Sequence, residues 1–222
     1  LIEIIKRIKQ RCGVLVFMSI GERDFDCYDR MYTAGARGVL LRFETSNPDI
    51  YRKIHYSDLN KRIELIEYAV NRGYVVATGS LIGLPEQTEE DLANDILLAK
   101  SLKAEMYSFG PLIPTPGTPL SKSKLVDISK VLKFISVARF TDPESKILVT
   151  TALETLDKEN GSKNGLLAGA NSLMINVTPD KYKELYSIYP NKAGNDKKVE
   201  DNIEDTLKLL YSLGRAPTDL GM

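Results

Sequence analysis

Apolar positions along this chain follow two alternating rhythms. Short runs rich in valine, isoleucine and leucine stand at 14–20, 38–44, 74–83, 105–114, 146–153 and 171–177. Between them, apolar residues recur at helical spacing. Leu59, Ile63, Ile66 and Val70 form one stripe that ends at a glycine stop, Gly73. Leu92, Ile96, Ala99 and Leu102 form another, opened by the capping-box pair Thr88 and Asp91. Helices are also predicted at the start of the chain ("LIEIIKRIKQ"), from Glu22 to about Ala34, over "ISKVLKFISVARF" and over "EDNIEDTLKLLYSLG". Six strands alternating with helices predict parallel strands joined by right-handed crossovers. The runs are nearly continuous rather than alternating, so both faces of the sheet are expected to be covered. The polar, glycine-bearing stretches 157–165 and 191–198 read as loops.

Two architectures fit this order, a doubly wound open sheet and a (βα) barrel. A dinucleotide-binding sheet should carry G-x-G-x-x-G after its first strand, and none is present. A barrel needs eight strands and about 250 residues, against six strands in 222 residues. A (βα)8 TIM barrel with about six of its eight units fits both the count and the abrupt start on an amphipathic helix at Leu1. The chain therefore looks like a piece of a longer protein, and no internal domain boundary is evident.

Composition narrows the choice. Thirty basic residues balance thirty acidic ones, so there is no electrostatic footprint for nucleic acid or an anionic membrane. No apolar run reaches bilayer-spanning length. Two cysteines, Cys12 and Cys27, are too few for a disulfide framework and fit a reducing interior, so the cytoplasm is the expected compartment. A single histidine, His55, excludes a histidine-rich metal site.

In a barrel, ligands sit at the C-terminal ends of the strands. Arg42 and Glu44 flank Phe43 at one such end, and alternation puts them on one face. A buried pair there is either a structural ion pair or part of a site for a charged ligand. Arg62 lies near the start of the next helix, able to hold a carboxylate or to stand solvated. The run "GSLIGLPEQTEEDL" carries Gly79 and Gly83 into a proline corner; glycine in a strand marks a close approach by a ligand or by another backbone. Thr150, Thr151 and Asn176 also fall at strand ends, and "YSIYP" presents Tyr186 and Tyr189, a spacing that also suits tyrosines plugging a core edge. "PLIPTPGTPL" (111–120) predicts a rigid loop suited to binding.

These residues reach a resemblance. In "GSLIGLPEQT", Gly79, Leu81, Gly83 and Glu86 occupy the places of G-x-I-x-G-x-x-E, a pattern on a middle barrel strand of radical S-adenosylmethionine (SAM) enzymes, with Leu81 for isoleucine. "PTPGTPL" (114–120) and "AGANSLM" (168–174) are similar to segments of the same superfamily. The order from "SIGERDFDCYDRMYTAGARGVLLRFETSNPDIYRKIH" to "LGRAP" resembles the branch that holds biotin synthase, methylornithine synthase and, most closely, the FeFe-hydrogenase maturases of HydE type.

The resemblance implies a radical SAM TIM barrel over about 1–177, with a biotin synthase-like C-terminal extension over about 150–222, in one domain. It implies SAM and a 4Fe–4S cluster as cofactors and reductive cleavage of SAM to a 5′-deoxyadenosyl radical, used in maturing the hydrogenase di-iron centre. The cofactor carries the hard chemistry while the barrel positions it and excludes water. By matching position, Arg42, Glu44 and Arg62 hold the polar parts of SAM, with Arg62 at the methionine carboxylate, which guanidinium grips as a fork. Gly79, Leu81 and Gly83 form the strand that backbone-contacts the adenosine. Thr151, Met174 and Tyr189 line the substrate cavity, for a small molecule or an iron complex. Other hydrogenase maturases are the implied partners.

Three departures qualify the match. The C-x3-C-x2-C loop is absent, and its thiolates are expected upstream of Leu1; this chain by itself should bind no cluster and be inactive. Phe43 stands where many relatives have histidine. The loop after Tyr189 lacks the cysteines of an auxiliary cluster. Two further readings follow, a methylornithine synthase-like mutase and a non-catalytic remnant that binds a small molecule or protein.

Overall fold

A computed structural model describes residues 1–218. In chain order the elements are α1 (Ile2–Arg11), β1 (Val16–Met18), α2 (Phe25–Ala34), β2 (Ala36–Leu40), α3 (Pro48–Ile54), α4 (Leu59–Arg72), β3 (Val75–Thr78), β4 (Leu81–Ile82), α5 (Glu89–Ser101), β5 (Met106–Tyr107), β6 (Gly110–Pro111), α6 (Ile128–Thr141), β7 (Lys146–Val149), α7 (Thr151–Leu156), α8 (Gly161–Leu167), β8 (Ser172–Leu173), a 3₁₀ turn (Asp180–Tyr186) and α9 (Val199–Ser212). Six strands pair in the order β1-β2-β3-β5-β7-β8, every pair parallel. The sheet curls into a half-barrel with helices on its outer face. All six predicted strands are present and adjacent in sequence order.

Local chemistry starts and stops these elements. Asp24, Asn47, Asp58, Thr88, Asp127 and Thr150 each accept a backbone N–H at a helix start. Thr88 and Asp91 form the reciprocal capping box. Gly35 and Gly73 end α2 and α4 in the left-handed conformation open to glycine.

Several predicted boundaries move. The helix placed at Glu22 begins at Phe25, because Asp24 caps it by accepting from Cys27 N at 2.7 Å; Glu22 is left in the loop after β1. The strand 146–153 ends at Val149, since Thr150 caps α7. The strand 171–177 shrinks to Ser172–Leu173. The predicted loop 157–165 contains the start of α8, where Gly161 and Gly165 let that helix settle against Leu153 and Val149. The stripe on α4 is rotated from the predicted one: Leu59, Leu65, Ile66 and Ala69 are buried, with Arg62 among them, while Ile63 and Val70 are partly covered.

The "GSLIGLPEQT" corner is built from within. Beyond Thr78 the ladder continues past Gly79 as Ser108 N donates to Thr78 O (2.7 Å), Gly110 N to Ser80 O (3.2 Å) and Leu112 N to Ile82 O (2.9 Å). A Cβ on Gly79 would lie 2.3 Å from the Ser108 carbonyl oxygen, so the close approach this glycine permits is by the neighbouring strand. Gly83 likewise faces Val126. Gln87 then holds the turn like a piece of backbone: its Oε1 accepts from Gly83 N and Leu84 N, and its Nε2 donates to Leu81 O and Asp95.

Candidate cofactor and substrate site

The C-terminal ends of parallel strands share one edge of the sheet, and two charged groups meet there. After β2 the chain leaves regular pairing, and Thr78 Oγ1 closes the gap by donating to Leu41 O at 2.8 Å. Glu44 then sits at φ +66, left-handed backbone that side chains seldom adopt. It is held by Glu44 N donating to Gly79 O (3.0 Å) and Leu81 N donating to Glu44 O (2.8 Å). Arg42 Nη2 lies 3.0 Å from Glu44 Oε2 and donates to the Ser80 carbonyl at 2.7 Å. Phe43 points the other way and is fully buried. Glu44 Oε2 has the Arg42 cation as its partner, whereas Arg42 Nε is buried without a hydrogen-bond acceptor among the described residues. Such a donor is costly to leave unmatched and marks a place for a polar ligand.

Arg62 forms the second group. It is buried, so the solvated alternative does not apply. Its Nε donates to Tyr51 OH at 3.1 Å and forms an ion pair with Glu22 Oε1 at 2.7 Å, and Nη2 lies 3.5 Å from His55 Nδ1. Ser57 Oγ also donates to Glu22 Oε1, at 2.6 Å. Tyr51 is fully buried and stacks on His55 with ring centroids 4.9 Å apart. Sequence reasoning missed Glu22, Tyr51, His55 and Ser57. The one available signal was a Gly-Glu pair at a strand end, hidden when Glu22 was read as helical.

Burial first, then the Arg62 cation, hold His55 below its ordinary 6.5; Glu44 and Glu22 act in the opposite direction. Because His55 is the single histidine, its ring signal in proton NMR is unambiguous. Arg62→Gln is expected to raise its titration midpoint and Glu22→Gln to lower it. An unshifted midpoint in Arg62→Gln would contradict this contact.

The predicted cavity residues divide between two spaces. Thr151 and Met174 line a cavity of about 290 Å³ with Glu154, Asn176 and Asn202. Tyr189 lines a neighbouring one of about 730 Å³ with Thr115, Lys183 and Ser187. Lys158 and Asp196 border both. Burial pushes the Glu154 carboxyl up, against a hydrogen bond from Ser162. Burial also raises Tyr189, whose ring lies within electrostatic reach of Arg42, so this region adjoins the Arg42–Glu44 group. Leu81 is partly exposed beside it.

A charged mouth above a parallel half-barrel is the architecture of a cofactor-binding (βα) barrel. Residues 108–216 match the family model described as the Biotin and Thiamin Synthesis associated domain. The chain is 38% identical to the [FeFe] hydrogenase maturase subunit HydE of Thermotoga maritima over 97% of its own length and 62% of that protein. It is 26% identical to 3-methylornithine synthase of Methanosarcina barkeri, over 97% of this chain and 60% of the relative. A solved methylornithine synthase matches the fold with a TM-score of 0.79 at 24% identity, covering 98% of this chain and 63% of that one. The chain has the radical SAM barrel fold and is similar over nearly its whole length to HydE, biotin synthase and methylornithine synthase. It spans about three fifths of the length of these curated relatives. No helix among the described residues is long and apolar enough to cross a membrane.

Proposed function

We propose that this chain is the barrel portion of a HydE-type radical SAM enzyme and that its mouth holds SAM. The observation that carries the reading is Arg62, a buried guanidinium at the strand ends beside the Arg42–Glu44 pair, whose Arg42 Nε has no acceptor among the described residues. SAM offers a carboxylate, an ammonium and ribose hydroxyls, which match this donor and acceptor set. Arg62 would take the carboxylate as a fork. Glu44, an acceptor, would take the ammonium or a ribose hydroxyl, and Arg42 would fix Glu44. The Gly79–Gly83 strand, with Leu81 partly exposed on it, would border the adenosine through its backbone. When bound and reductively cleaved, SAM supplies a 5′-deoxyadenosyl radical.

The 4Fe–4S cluster is a different matter. Cys12 is exposed at the end of α1 and Cys27 lies within α2. Among the described residues no three histidine, cysteine or carboxylate side chains group as metal ligands. Two cysteines do not make the three-thiolate set, so this chain is expected to bind SAM without cleaving it. Thr151, Met174 and Tyr189 would face a small-molecule or iron-complex substrate, and other hydrogenase maturases would supply or receive it, in the cytoplasm.

The test is to reconstitute the full gene product anaerobically with iron and sulfide and treat it with SAM and a strong reductant. Formation of 5′-deoxyadenosine supports the reading, and its absence sinks it. A methylornithine synthase-like activity is the second reading, favoured by the likeness to that structure and by Phe43 beside the charged pair. Neighbouring genes separate the two: hydrogenase maturases favour the first, amino-acid pathway genes the second.

A further inference from the structure

We propose that Glu22, assisted by Tyr51, is the positioning residue that aims Arg62 at a ligand carboxylate. The inference rests on the reading of Arg62 as the carboxylate holder. A guanidinium presents two hydrogen-bonding edges, one made by Nε with an Nη and one made by the two Nη groups. Glu22 Oε1 and Tyr51 OH both engage Nε, at 2.7 and 3.1 Å. His55 Nδ1 is the contact on Nη2, at the longer distance of 3.5 Å, and Nη1 makes no hydrogen bond among the described residues. The side edge is thus occupied by the protein, and the Nη1–Nη2 edge remains for a second carboxylate.

Glu22 is itself fixed. Its Oε1 accepts from Ser57 Oγ at 2.6 Å and from Tyr51 OH at 3.4 Å, and is ion-paired with the Arg62 guanidinium through Nε. Tyr51 OH also lies 3.1 Å from Ser57 Oγ. One carboxylate oxygen held by two hydroxyl donors and the Arg62 cation behaves as a strut, because swinging away gives up all three contacts. A mobile competitor for Arg62 would lack that set. Arg62 without the strut keeps its charge but loses the orientation that makes a fork selective over a point charge.

The test compares two probes on the full chain by isothermal titration calorimetry: SAM and 5′-methylthioadenosine, which keeps the nucleoside and lacks the carboxylate. The wild-type chain is expected to prefer SAM. Glu22→Ala is expected to weaken SAM by about tenfold, the worth of a charge-assisted hydrogen bond, while leaving 5′-methylthioadenosine unchanged. Glu22→Gln, which keeps an acceptor oxygen, should lose no more than about threefold. Equal weakening of both probes, no change in either, or tighter SAM binding in Glu22→Ala would overturn the positioning role. Arg62→Ala distinguishes the two layers. If it erases the preference for SAM and Glu22→Ala does not, the carboxylate reading stands and the strut falls. If the wild type has no preference, or Arg62→Ala retains it, the carboxylate reading fails and the strut with it.

Discussion

Gly79→Ala is expected to destabilise the chain by about 3 kcal/mol, the upper range for a forced overpacking. The added Cβ would lie 2.3 Å from the Ser108 carbonyl oxygen and 2.7 Å from its carbon, and backbone, unlike a side-chain tip, has no rotamer to escape into. The neighbouring strand must move, and with it Ser108 N–Thr78 O and Gly110 N–Ser80 O, which carry the ladder past this point. Glu44 N also donates to Gly79 O, so the strained Glu44 backbone and the Arg42 pair move too. The measurement is the urea midpoint of the variant against wild type. Gly13→Ala is the control, since a Cβ there meets nothing within 4 Å; it should stay within about 0.5 kcal/mol. A Gly79→Ala midpoint equal to that of Gly13→Ala would mean the strands have room, and the close approach would again be free for a ligand.

The second large effect concerns Asp95, fully buried on α5. Its Oδ1 accepts from Ser46 N at 2.6 Å and Ser46 Oγ at 2.7 Å, and its Oδ2 from Gln87 Nε2 at 3.3 Å. It therefore pins the loop after β2 to the corner after β4, the two segments that frame the Arg42–Glu44 pair. Burial raises its pKa from 3.8 to about 6, outweighing the bonds from Ser46. The sign follows from proton counts. Between about pH 4 and pH 6 the folded chain keeps a proton that the unfolded chain has released, so this group makes stability fall as pH rises. Above about pH 6 the full penalty is present, roughly 3 kcal/mol at 1.36 kcal/mol per pH unit.

Asp95→Asn is expected to remove that component. The difference in unfolding free energy between variant and wild type, from denaturant curves at pH 4, 5, 6 and 7, should grow in favour of the variant as pH rises. A difference flat across that range would mean the carboxyl is not strained by burial. Asp95→Ala should instead destabilise at every pH by about 2 kcal/mol or more, because Ser46 N and the Gln87 amide are left without their acceptor.

Much of the frame was legible because it is written locally. Strand and helix order, the Thr88–Asp91 box, and the glycine ends of α2 and α4 depend on residues a few positions apart. Arg42 and Glu44 were paired from strand alternation alone. The alternation survived although regular pairing stops at Leu40, because Glu44 rejoins the ladder through Gly79 and Leu81. Thr151 and Met174 do share a cavity, while Tyr189 faces the next one. The corner at Gly79 and Gly83 was recognised as a place of close approach. Strand pairing then supplied the occupant, Ser108, which pattern alone could not name.

By itself the sequence determined the six strands, their parallel order, the long helices between them, the Thr88–Asp91 capping box and the charged residues at the strand ends. Only the tertiary structure decided which partners those residues meet. Ser46 and Asp95 lie 49 positions apart, and Arg42 and Ser80 lie 38 apart. Arg62 was readable as solvated or functional until the packing of α4 turned its face inward against Glu22, Tyr51 and His55. Helical periodicity sets which residues share a face, but the direction of that face depends on what the helix packs against. A side chain's burial, and so its pKa and its ligand, is a property of that packing.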